Sequence, residues 1–369
     1  MPSGIGDVRA IAGGRDHSLA LGADGIVYAW GRNKEGQCVV REGLAGVCAL
    51  AAGEFHSMAL LETGEVVCWG SNKSQQCEVP AGLVAIAIGA GDQHSIAVRP
   101  NGTVVCWGSS FLGQLDVPTG LSGVTKVDGG LYHSVARTSA GTAVCWGPNL
   151  FGECNVPVTA TNVVDVAAGY QHTLALRGNG TVVQWGKSSG GQGAVPAGLN
   201  GVTAIAAGDF HSLALRNDGS IVCWGSNEFE QCTVPAGVEP VIAIAGGGSH
   251  TLAITDLCPT DPDKTIPGEC GCGVPDTDGD GDGVADCNDN CLLYANPLQQ
   301  DANNNGEGDF CEFAAYGDLD FNGIVNVADV QILLGLWGKT THPFGDLDLD
   351  GDIDAEDITI MLKNWGPVF

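Results

Sequence analysis

Cations are scarce in this chain. Lysine and arginine number 15 against 43 aspartates and glutamates, a formal net charge of −28. Binding a phosphate backbone needs clustered Lys and Arg, so nucleic acid is excluded as a partner. Long apolar runs are missing too. None approaches the ~20 residues that a membrane-crossing helix requires, yet 44% of the residues are hydrophobic, enough for a real core. A length of 369 residues leads us to expect two or three domains. The charge is uneven: residues 1–257 carry 12 basic and 20 acidic side chains, and residues 258–369 carry 3 and 23. That break marks a boundary. A carboxylate tail this dense either binds cations or stays unfolded by self-repulsion.

Before the break the chain repeats. Histidine recurs at 17, 56, 94, 133, 172, 211 and 250, and a tryptophan follows 13 residues after each of the first six, at 30, 69, 107, 146, 185 and 224. One unit reads VTAIAAGDFHSLALRNDGSIVCWGSNEFEQCTVPAG, residues 202–237. It contains strand signals at AIAAG, HSLAL and SIVCWG, the last two joined by an Asn-Asp-Gly-type hairpin turn. We place a shorter fourth strand near QCTVP. Four strands in about 40 residues, repeated, fit a β-propeller blade. Seven His-Ser or His-Thr pairs do not suit catalysis, which needs one base, one orienter and one oxyanion hole. Each His is expected to bond a neighbouring strand, and each Trp to wedge between blades.

The motifs AGxxHSLAL, DGxVxxWG and GQxxVP resemble the repeat of the regulator of chromosome condensation family. Their VP-rich connections are similar to those of its secreted bacterial members, which include a β-lactamase-inhibiting propeller. The resemblance implies an all-β, seven-bladed propeller over residues 1–257. The repeats end at His250–Thr255 without a seventh Trp-Gly half, so the last blade is expected to be incomplete. We expect a truncated start, with the missing half-blade and a secretory leader upstream of Met1. Inside the constant frame, two residues between each Gly and His vary: Arg15-Asp16, Glu54-Phe55, Asp92-Gln93, Leu131-Tyr132, Tyr170-Gln171, Asp209-Phe210 and Gly248-Ser249. These pairs should gather on one face. Phe55, Tyr132, Tyr170 and Phe210 either form a protein-binding surface ringed by acids or cover the blade ends.

Cysteines at Cys68–Cys77, Cys145–Cys154 and Cys223–Cys232 share a nine-residue spacing, and the fifth repeat lacks both members, with Gln184 and Gly193 there. Intrablade disulfides would account for the joint loss and would imply an oxidising compartment; small buried thiols are the alternative. Cys38 has no such partner and is a candidate to join Cys48.

After a Cys- and Pro-rich linker (258–275), four loops share one spacing. Position 1 is Asp278, Asp301, Asp318 or Asp346. Position 3 is Asp280, Asn303, Asp320 or Asp348. Position 5 is Asp282, Asn305, Asn322 or Asp350. Position 6 is always Gly. Position 9 is Asp286, Asp309, Asn326 or Asp354, and position 12 is Asp289, Glu312, Asp329 or Asp357. A hard cation wants six to eight oxygens, and alternate residues of a tight loop bent at Gly supply them, so these residues are the candidate ligands of structural Ca²⁺.

Residues 276–312 resemble thrombospondin type 3 calcium repeats, and that resemblance suggests a Cys291–Cys311 pair. In residues 313–369 each loop runs into a short amphipathic helix. Val330, Leu333, Leu334 and Trp337 repeat as Ile358, Met361, Leu362 and Trp365, with both Trp expected in the core. The pattern resembles a type I dockerin, an EF-hand-like module. The resemblance implies a cohesin-like partner, contacted through Val327, Ala328, Ala355 and Glu356. Together these readings point to a secreted or cell-surface, non-enzymatic, protein-binding propeller with a calcium-dependent attachment module. An inhibitor of a secreted enzyme is the alternative. A glycan-active enzyme would need a carboxylate pair with one raised pKa in a pocket, which the sequence does not single out.

Overall fold

The structure, a computed structural model, describes residues 5, 7–238, 240–256, 258, 270, 274–292, 296–300, 308, 311, 317–320, 324–338, 347 and 353–367. It forms two compact units, Met1–Pro259 and Thr260–Phe369.

The first unit opens with β1 (Val8–Gly13), β2 (His17–Gly22) and β3 (Val27–Gly31), an antiparallel sheet in chain order. Asp24-Gly25 turns β2 into β3, with Gly25 at φ +80 as a tight hairpin demands. The same three-stranded sheet recurs within residues 47–70, 87–108, 124–146, 163–186 and 202–225. A two-stranded sheet, Val241–Gly246 paired with Thr251–Thr255, ends the series. The sheets close on themselves: Gly248 N–H donates to Gly14 O at 3.1 Å, and His250 Nε2 meets Ser18 Oγ at 3.0 Å. First strands line the axis, and the middle strands are buried on both faces. Their fully buried Leu19, Met58, Ile96, Val135 and Leu174 sit between neighbouring sheets. Burying one such side chain contributes roughly 1.5–3 kcal/mol.

The repeated polar residues staple each sheet to the next. Ser57 Oγ donates to Gln37 O at 2.9 Å, and Trp69 Nε1 donates to the same carbonyl at 2.9 Å. The serine has only one proton to give, so it must accept from His17 Nε2, 2.9 Å away. That fixes the His tautomer with its proton on Nε2. The relay recurs with His56–Ser95–Gln76–Trp107, His94–Ser134–Gln114–Trp146 and His133–Thr173–Glu153–Trp185. Five tryptophans of the first unit are therefore buried; Trp30 is only half-buried. The glycine after each Trp is required by close approach: Gly108 sits at φ +107, and a Cβ there would lie 2.7 Å from Gln93 O.

Two expectations are corrected here. The segment near QCTVP is not a strand. Its proline lacks an N–H, and the Cys232 N–H bonds Asn227 Oδ1 rather than a ladder partner. Cys38 and Cys48 are both free. Cys38 lies in the loop after β3, at the histidine end of the sheet. Cys48 is the exposed residue of a register shift near the opposite end of the next sheet's first strand.

In the second unit, α1 (Val327–Leu336) and α2 (Ala355–Lys363) each begin with a capping box, Asn326 with Asp329 and Asp354 with Asp357. A short pairing of Ile324–Val325 with Gly366–Pro367 ties the two segments together. Leu319, Val325, Leu333, Ile353 and Met361 form the core. Trp337 and Trp365 are about half exposed, as are Leu334 and Leu362, contrary to the core placement expected of the tryptophans. Leu333 and Met361 are the helix residues that enter the core cluster in their place.

Candidate functional site

The turn between the first two strands of every sheet emerges at one end of the ring. The first members of the seven variable pairs, Arg15, Glu54, Asp92, Leu131, Tyr170, Asp209 and Gly248, line the mouth of the axis, a cavity of about 50 Å³. Arg15 pairs with Glu54. Asp92 Oδ2 is buried without a hydrogen-bond partner. Burial, then the Asp209 and Glu54 carboxylates, push the Asp92 carboxyl up to about 8; Arg15 acts the other way. Burial raises Asp209 to about 6 against the pull of Arg15. This is a carboxylate cluster in a pocket, but the cavity holds only about three to five water-sized groups and no sugar ring.

Deeper along the axis lies a channel of about 260 Å³ walled by the first strands. Where other sheets place Ala10, Ala49, Ala204 and Ala243, the fourth and fifth place Lys126 and Asp165, which pair with each other. Asp128 accepts N–H bonds from Gly129 and Ala168, both 2.9 Å. Burial raises its carboxyl to about 6.

Of the aromatic candidates, Tyr170 lines the axial mouth and Phe55, Tyr132 and Phe210 lie outside its lining. The Tyr170 and Phe210 rings sit 5.3 Å apart, and Lys187 Nζ lies 4.8 Å from the Phe151 ring and 5.8 Å from that of Phe210. Phe55 lies under the Arg32 guanidinium at 4.5 Å, and Tyr132 is half-buried. The loops after each third strand leave from this same end, since Arg32 N–H bonds Asp16 O. They carry Phe111 (90% exposed), Leu150 (78%) and Phe229 (70%), with Leu112 and Phe151 beside them. Sequence reasoning missed these five. Their signal was present, because they too vary inside a constant Asn/Gln frame. The loops are rigid: Gln114 Oε1 accepts the Leu112 N–H at 2.9 Å, Asn149 Oδ1 accepts the Cys154 N–H at 2.9 Å, and Cys68–Cys77, Cys145–Cys154 and Cys223–Cys232 tie three of them to their strands.

Six of the propeller histidines are held neutral by burial. Burial lowers His56, His94 and His172 to about 3, and His17, His133 and His211 to about 4, so all six are neutral struts.

In the second unit, one carboxylate oxygen each from Asp278, Asp280 and Asp282 lie within 4.8 Å of one another, as do those of Asp318, Asp320 and Asp329. Asp280 Oδ2 is buried without a partner, and Gly281 and Gly283 take φ +80 and +92 to bend the loop. An oxygen-only donor set with an orphaned oxygen fits a hard cation. Other described candidates, like Asp278 and Asp329, accept hydrogen bonds within the chain. Asp286 accepts from Thr277 Oγ1 and Gly279 N–H, Asp289 from Cys291 N–H and Gln299 Nε2, and Asn326 and Asp354 cap helices. Asp357 is buried, accepting the Leu347 and Asp354 N–H groups. Asp301, Asn303, Asn305, Asp309, Glu312, Asn322, Asp346, Asp348 and Asp350 lie outside the described residues. Val327, Ala355 and Glu356 are exposed and Ala328 half-buried. Cys291–Cys311 and Cys270–Cys287 are bonded.

Residues 8–37, 47–76, 85–114, 163–192 and 202–231 match the regulator of chromosome condensation (RCC1) repeat. The fourth repeat, which carries Lys126, Asp128 and Tyr132, is not among the matched segments. No curated protein sequence matches the chain. Among solved structures, the chain is similar to Prp20p from Saccharomyces cerevisiae, studied for its binding to Gsp1p and histones (20% identity, 67% of this chain and 82% of that one, TM-score 0.59). It is also similar to the ectodomain of the Arabidopsis thaliana receptor kinase ACR4 (21%, 73% and 99%, 0.57) and to human WBSCR16 (18%, 68% and 86%, 0.56). At these identities the likeness is one of fold. The first unit is an RCC1-type repeat propeller. No helix among the described residues is long and apolar enough to cross a membrane.

Proposed function

We propose that this protein is a non-enzymatic binding protein of an extracellular or cell-surface compartment. Its propeller, read as seven blades with the seventh short of its outer strand, presents one face to a protein partner. The observation that carries this reading is the set of exposed apolar side chains, Phe111, Leu150 and Phe229, held on stiff loops at one end of the ring. Rigid exposed aromatics lose little entropy on binding and are favoured as anchors. Similar propellers are studied for protein binding, and disulfides such as Cys68–Cys77, Cys145–Cys154 and Cys291–Cys311 suit an oxidising compartment.

The second unit is read as a thrombospondin type 3-like segment followed by a dockerin-like module. Ca²⁺ would neutralise its crowded carboxylates, with Asp278, Asp280 and Asp282, and Asp318, Asp320 and Asp329, as ligands. Binding energy then becomes folding energy. Exposed Leu334, Trp337, Leu362 and Trp365 give that module a surface for a cohesin-like partner.

A photo-crosslinking residue placed at Phe111 or Phe229 tests the propeller face against one placed at Ile242, on the bulge near the other end. The face positions should trap one protein that, once purified, binds the full chain. Equal trapping at Ile242 would refute a face-specific role.

A further inference from the structure

The axial mouth combines features that the binding reading above does not use. Its lining includes three acids, Glu54, Asp92 and Asp209, and one base, Arg15, whose guanidinium is engaged by Glu54. Asp92 Oδ2 is buried and accepts nothing. Leaving a buried acceptor unmet costs about 1–3 kcal/mol, more if charged, so a donor arriving there recovers that cost. The three carboxylates do not form one of the clusters whose oxygens lie within 4.8 Å of each other; those occur in the second unit. A single metal ion is therefore too small to satisfy them. A cavity of about 50 Å³ is likewise too small for an aromatic ring but accepts a compact ammonium. The mouth is walled by Leu131 and Tyr170, and Phe210 and Phe151 continue outward through Lys187.

We infer that the axial mouth takes the ammonium of a lysine on the partner protein, while the apolar residues next to that lysine sit on Tyr170, Phe210 and Phe151. The inference rests on the protein-binding reading above and specifies the partner's chemistry. The cation donates to Asp92 and Asp209. The mouth thus acts as a selectivity filter at the centre of an aromatic face: an acidic or purely apolar knob leaves the Asp92 oxygen unmet. Arg15, Glu54, Asp209 and Tyr170 face Asp92 from the first, second, sixth and fifth turns; the Leu131 and Gly248 turns present no charge. Because Asp92 holds its proton near neutrality in the free protein, insertion of the cation expels that proton. Affinity should then rise between pH 6 and 9, where lysine stays charged and the buried histidines stay neutral.

The test pans a displayed library of random 12-residue peptides against the full chain. Recovered peptides should carry a lysine within two positions of an aromatic or aliphatic residue. Lys→Met in the peptide, or D92N with D209N in the protein, should each weaken binding at least about tenfold, and D92N should flatten the pH dependence. Asn keeps the shape of Asp, so the melting temperature of the double variant checks that the propeller is intact. Peptides without a cation, or insensitive to D92N with D209N but still weakened by F210A, would overturn the inference and leave the binding face standing. Peptides insensitive to F210A and Y170A as well would overturn both.

Discussion

In each of the first four sheets one histidine ties together three elements: its own middle strand, the hydroxyl of the next sheet, and the carbonyl that anchors the next tryptophan. The arrangement works only with a neutral ring, because an imidazolium would be buried with no acceptor for its Nδ1 proton; Nδ1 of His17, His56, His94, His172 and His211 has no partner. This gives stability a pH dependence with a definite sign. The folded pKa values, about 3 to 4, lie below the 6.5 of an unfolded histidine. Below pH 6.5 the unfolded chain binds protons that the folded chain refuses, so stability falls until the folded pKa is reached. Asp92, Asp128 and Asp209, with raised values, work in the opposite direction. Six histidines outweigh three aspartates. Calorimetry should therefore show the propeller melting several degrees lower at pH 5 than at pH 7. An equal or higher melting temperature at pH 5 would mean that the histidines are not held neutral by the fold.

At the scale of the element, the loop after each third strand shows what sequence can and cannot carry. Its shape is fixed by local chemistry, an Asn accepting the N–H five residues on and a Gln accepting the N–H two residues back, as at Asn72–Cys77 and Ser74–Gln76. Such short-range bonding, like the Gly-turned hairpins, is written directly in residue types, which is why the strands beginning at or just after each histidine were legible. The QCTVP segment looked like a strand because Val and Cys favour strands. Only the competition of Asn227 for its N–H, together with the proline, revealed a turn. The acidic axial mouth was illegible for another reason. Glu54, Asp92 and Asp209 are up to 155 positions apart, and only closure of the ring brings them together. The half-exposed Trp337 and Trp365 likewise depended on which helix residues enter the core cluster. The loops also differ in cross-linking: the third, fourth and sixth sheets do not all share it, because Cys106 is free while Cys145 and Cys223 are bonded. Replacing Cys145 and Cys154 by Ser should cost about 2–3 kcal/mol in denaturant unfolding, with the Asn149 and Glu153 bonds still holding the loop. A loss below about 0.5 kcal/mol would mean that those bonds alone set its shape.

At the scale of the whole molecule, the two units are stabilised by different physics. Between the propeller sheets lie buried Leu, Val and Trp clusters, which depend little on ions. The second unit carries most of the excess negative charge, and among its described residues five side chains form one core cluster. Carboxylate repulsion adds to the chain entropy that such a core must offset, and in the proposed reading a divalent cation relieves it. Calcium removal should then act on one unit alone. Its two described helices span 10 and 9 residues, a small share of a 369-residue chain in the far-ultraviolet circular dichroism. The decisive measurement is differential scanning calorimetry with and without EDTA. Two transitions are expected in calcium, and the chelator should remove or sharply lower the second-unit transition while leaving that of the propeller within about a degree. D318N combined with D329N should reproduce the chelator's effect without EDTA, because it strips two converging carboxylates from one loop. If EDTA leaves both transitions unchanged, the acidic loops fold without metal and the calcium-dependent part of the proposal fails. A shift of the propeller transition alone would place the cation in the wrong unit.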